Sequence, residues 1–156
     1  MNRFLLLILL AGACTTEAVV IRDDVPDIRY RMSVSEFPAL ADLPGEGHGV
    51  LIDPQWVLTA AHAVTWQPTV DVVVVGGTPR AVARVVIHPG YRQLPQSLID
   101  AAMAADDSGL ITRFLESSDD IALLQLAEPV SGIAPVRIYR GPEVGKVIRI
   151  VGRGAT

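Results

Sequence analysis

Cysteine is nearly absent from this chain. Cys14 is the only one among 156 residues, so no internal disulfide can form and no thiolate cluster can hold a metal. Positive charge is also scarce: 13 Lys and Arg stand against 17 Asp and Glu, and no basic run occurs. That balance excludes nucleic acid and an anionic membrane surface as partners. Long apolar runs are missing too. The longest, Phe4 to Leu10, falls well short of the roughly 20 residues that a spanning helix needs. No internal repeat, low-complexity tract or linker argues for two complete domains. No motif calls for a cofactor or a metal. What the sequence does have is apolar content, 50% of its residues, which is enough for a buried core.

The first residues read as a targeting signal and not as structure. Arg3 supplies a positive start, Phe4 to Leu10 an apolar stretch and Ala11-Gly12-Ala13 an A-x-A cleavage pattern. Residues 1–18 are accordingly expected to be a signal peptide with a short mature tail, and the chain to be exported: secreted, periplasmic or lipid-anchored at the cell surface. Cys14 stands where cleavage would fall, and Leu10-Ala11-Gly12-Ala13-Cys14 is loosely similar to a bacterial lipobox. Two readings stay open at Cys14: lipidation with membrane attachment, or plain cleavage that leaves a spare cysteine.

Beyond the signal, Val- and Ile-rich runs of strand length alternate with turn residues, the pattern of an all-β barrel or sandwich. The expected strands are Val50 to Ile52, Trp56 to Leu58, Val70 to Val75, Ala81 to Ile87, Ile121 to Leu126 and Val147 to Val151. Asp53-Pro54, Gly76-Gly77 and Pro89-Gly90 break them as turns. Between Leu98 and Phe114, the 3-to-4 spacing of Leu98, Ala101, Ala102 and Ala105 predicts a short helix inside an inserted loop.

Two short stretches carry the chemistry. In "WVLTAAHAV" a strand ends in two alanines and then His62; in "SSDDIALL" Asp120 immediately precedes an alternating strand. A carboxylate drawn partly inside with that strand must find donors. An imidazole N–H can supply one and leave its other nitrogen basic. Asp119, one residue earlier, faces the opposite way and reads as a surface charge. His48, in a glycine-rich turn, and His88, before a Pro-Gly turn, read as structural groups.

These stretches resemble the trypsin-like serine endopeptidases, the chymotrypsin family. "GHGVLI", "HPGYR", "IAPVRI" and "VGRGAT" resemble further segments of that family in the same order, so the likeness runs from about Gly47 to Thr156. It implies a chymotrypsin-like antiparallel β-barrel, the first of two, over residues 19–138, with 139–156 beginning the second. It implies that His62 is the catalytic general base and Asp120 its orienting carboxylate, acting on protein or peptide substrates. The family's cysteines flanking the histidine correspond to Gly47 and Ala63, a disulfide lost as a pair. Its mature terminus, Ile-Val-Gly-Gly, has no counterpart in "VVIRDD" from Val19.

The family's serine follows its aspartate within Gly-Asp-Ser-Gly-Gly. Here the only serine after Asp120 is Ser131, in "EPVSGIAP", without a glycine-rich setting. No nucleophile is therefore expected within these 156 residues, and the expectation is a truncated peptidase, inactive by itself. The alternative is a non-catalytic exported binding protein or lipoprotein that keeps a protease-like fold.

Overall fold

Alternation decides which side of each strand faces inward, and six strands use it to enclose one core. In the computed structural model, residues 24–45, 47–66 and 69–152 are described; the signal segment, Cys14 and Val19 lie outside them. Two short 3-10 turns, Asp27–Arg29 and Val34–Glu36, precede β1 (Leu40–Asp42), β2 (His48–Asp53) and β3 (Trp56–Thr59). A single helical turn, α1 (His62–Thr65), leads to β4 (Val72–Val75) and β5 (Thr78–Ile87). Helices α2 (Gln96–Ala105) and α3 (Gly109–Leu115) come before β6 (Ala122–Leu126).

The strands close into an antiparallel barrel in the order β1-β2-β3-β6-β5-β4, with β4 returning to β1 through Ala41 opposite Val75. Closure leaves no unpaired edge between these strands. Residues directly opposite one another share the interior: Leu51 faces Val57, and Val57 faces Leu124. These three side chains, with Val73, Val75 and Leu126, have no solvent exposure. Burial of such side chains contributes about 1.5–3 kcal/mol each, the main favourable term here. Register shifts in β2 near Leu51 to Asp53 and in β5 near Val82 to Arg84 bend the strands around the barrel.

The expected turns hold. Gly76 and Gly77 take φ of +58° and +78°, the double left-handed pattern that a two-residue hairpin demands, and connect β4 to β5. At the β2–β3 turn, the Asp53 carboxylate accepts from the Gln55 amide at 3.0 Å.

Two expectations need correction. The predicted single helix is a pair, because Asp106 adopts φ +49° and its amide caps α2 through the Ala102 and Met103 carbonyls. Asp107 then accepts from the Gly109 amide at 2.8 Å and starts α3. The predicted strand Val147 to Val151 forms no ladder. Val147, Ile148 and Ile150 are largely exposed, because an isolated apolar run has no neighbour to take its backbone hydrogen bonds. Strand β1 lay outside the expected set, since three residues, Leu-Ala-Asp, are too few to show a period.

Candidate active site

One register decides the position of the site. In the β3–β6 pair, Thr59 lies opposite Ala122. The chain leaving β3 therefore runs past the same barrel end from which the chain enters β6. His62 is three residues beyond Thr59 and Asp120 two before Ala122, so antiparallel pairing joins residues 58 positions apart.

Asp120 then bridges two donors of one residue. Its Oδ1 accepts from the His62 backbone N–H at 2.8 Å, and its Oδ2 lies 2.6 Å from His62 Nδ1. The first bond satisfies an amide at the start of α1, where no helical partner exists. The second orients the ring. Burial alone would raise the Asp120 pKa, but bonds from the His62 imidazole and amide, the imidazole's charge and the Ala61 amide outweigh it, and the net shift is downward. An ionised carboxylate has no proton to give. Nδ1 must then carry the hydrogen, which leaves Nε2 as the basic nitrogen. The imidazole is 59% exposed, and among the described residues nothing is hydrogen-bonded to Nε2.

The alanines flanking His62 serve this geometry. Ala61, Ala63 and Val64 are buried, which plugs this end of the core while His62 stays outside. A Cβ on Gly47 would lie 2.9 Å from the Ala63 Cβ. The two positions matched to the family's disulfide are thus neighbours in space, and packing takes the place of the covalent link.

The other sequence candidates separate cleanly. Asp119 is 61% exposed, as expected of a surface charge, yet it faces His88 Nδ1 at 3.3 Å. His48 begins β2 and faces Asp42 across the β1–β2 ladder at 3.6 Å. Ser131 is exposed in an irregular stretch after β6. No serine hydroxyl among the described residues is bonded to His62.

Sequence reasoning missed the brace around the pair. The Tyr91 hydroxyl lies 3.1 Å from Thr65 Oγ1, which itself donates to the His62 carbonyl at 3.3 Å. The Arg92 guanidinium bonds the Ser117 carbonyl and hydroxyl and sits over the Phe114 ring at 5.1 Å. It thereby ties the helical insertion to the segment before Asp120. The signal for this brace was "HPGYR" itself, visible as a motif but silent about what each side chain would touch.

A model of the trypsin family matches residues 30–156. Complement C1s subcomponent of Rattus norvegicus is 36% identical in an alignment 148 residues long that covers 81% of this chain and 19% of that protein. Kallikrein-10 of Homo sapiens is 33% identical in an alignment 118 residues long that covers 69% of this chain and 38% of that protein. A solved structure of kallikrein-related peptidase 10 in complex with Zn2+ shares 27% identity over 72% of this chain and 48% of its own, with a TM-score of 0.48. The chain thus spans less than half the length of each of these relatives.

Proposed function

Because the chain belongs to the trypsin family, we propose that it supplies the general base and orienting carboxylate of an exported serine endopeptidase. His62 Nε2 takes the proton of a serine hydroxyl as that oxygen attacks the scissile carbonyl, then returns it to the leaving amine. Asp120 holds Nδ1–H and stabilises the imidazolium formed between those steps. The observation that supports this reading is the doubly bonded Asp120 carboxylate, which favours an Nδ1–H ring.

In this reading residues 19–138 are the first barrel and 139–156 begin a second, which bears the serine, the oxyanion donors and the substrate pocket. Substrates are proteins or peptides. The helical insertion α2–α3 borders Asp120 and can bias their choice. Export rests on the signal pattern of residues 1–18, with Cys14 as either a lipid anchor or a spare thiol; the mass of the mature N-terminus separates the two.

The reading is tested with residues 1–156 alone and joined to a serine-bearing second barrel. A fluorophosphonate probe should leave the first unlabelled and label one serine of the second. His62→Ala should abolish both labelling and peptide hydrolysis. Hydrolysis that survives His62→Ala would refute the general-base role, and a joined protein that is neither labelled nor hydrolytic would point to the second reading, a protease-like fold without this chemistry.

A further inference from the structure

Resting on the dyad reading above, we propose that Asp119 and His88 form a second histidine–aspartate pair whose work is positioning: it holds Asp120 against His62. The residues on both sides of Asp120 are bonded to one turn. The Asp119 amide donates to the Gly90 carbonyl at 3.2 Å, and the His88 amide donates to the Ile121 carbonyl at 2.9 Å. Movement of the His88–Gly90 turn is therefore movement of Asp120.

Side chains lock this turn to Asp119. His88 Nδ1 lies 3.3 Å from Asp119 Oδ2 and also 3.2 Å from the Gly90 amide. A protonated Nδ1 donates to the carboxylate, whereas a bare Nδ1 accepts from the amide, so this nitrogen has a partner in either form. Position 90 must be glycine for the carboxylate to lie there, because a Cβ would collide with Asp119 Oδ2. The next residue, Tyr91, reaches Thr65 and through it the His62 carbonyl. One turn thus braces both halves of the dyad.

The tautomer of His62, read from its imidazole 15N shifts above the ring's titration in the 156-residue chain, tests this. The wild-type ring should be Nδ1–H. Asp119→Ala removes the lock, and Gly90→Ala displaces it while keeping every polar group; each should lose the Nδ1–H majority in favour of Nε2–H. Asp119→Asn retains an acceptor for His88 and should restore the wild-type form. The amide spectrum of each sample reports folding; should Asp119→Ala unfold, Gly90→Ala decides. Alanine variants that keep the wild-type tautomer in a folded chain would overturn the positioning role and leave the dyad intact. A wild-type ring that is already Nε2–H would instead overturn the dyad.

Discussion

At Asp120 one oxygen accepts from the His62 amide and the other from the His62 ring, so a change of charge there acts on local structure and on tautomer together. Asp120→Asn keeps the shape but offers the ring an amide that can rotate to donate, favouring the wrong tautomer. With a serine-bearing second barrel attached, kcat should fall by about 10⁴-fold, while Asp119→Asn changes it little. Steady-state kinetics on a peptide amide decides. The same carboxylate makes a pH prediction. Its folded pKa is depressed below that of the unfolded chain, so its contribution to stability is complete above the ordinary carboxylate range. That contribution is lost as pH falls through the depressed value. Urea midpoints of wild type and Asp120→Asn should differ at neutral pH and converge in acid; a constant gap would refute the linkage.

At the scale of elements, the β2–β3–β6 ladder positions the site, and Gly49 is a tight point in it. A Cβ there would stand 2.7 Å from the Leu58 carbonyl oxygen and 2.8 Å from Val57 Cγ1. A backbone oxygen cannot step aside cheaply inside a ladder. Gly49→Ala should cost about 1–3 kcal/mol in chemical denaturation, as overpacking does. Because Thr59, the cross-strand partner of Gly49, ends β3, the variant should also disturb His62 amide shifts in NMR spectra. A Gly49→Ala chain of unchanged stability would mean that β2 and β3 lie further apart than described.

Over the whole molecule, the closed barrel contrasts with the segment C-terminal to it. The Val136 amide still donates to the Leu51 carbonyl at 2.8 Å, but from 137 to 152 the chain forms no strand. Val144, Val147, Ile148 and Ile150 are each at least three-quarters exposed. Exposed apolar side chains in one segment favour association. The 156-residue chain should therefore self-associate with rising concentration in sedimentation experiments, and Val147→Lys with Ile150→Lys should reverse this. A chain that stays monomeric at all concentrations would show that this segment finds cover of its own.

The β class, most strand positions, the hairpin glycines and the two residues that meet at the barrel end, His62 and Asp120, were legible in the amino-acid order. Each of these is written locally: apolar period 2 in Ala122–Leu126, paired glycines at 76 and 77, and a motif around His62 and around Asp120. Local signals could not decide where a helix breaks, since Asp106 takes a left-handed conformation that composition does not announce. Nor could they decide whether an apolar run becomes a strand. Ala122–Leu126 and Val147 to Val151 look alike as sequence, but only the first has neighbours on both sides to bond its backbone. Pairing is a property of two segments, so it is settled in three dimensions and not along either one. The same holds for the register that sets Thr59 opposite Ala122, through which an imidazole and a carboxylate 58 residues apart meet at 2.6 Å.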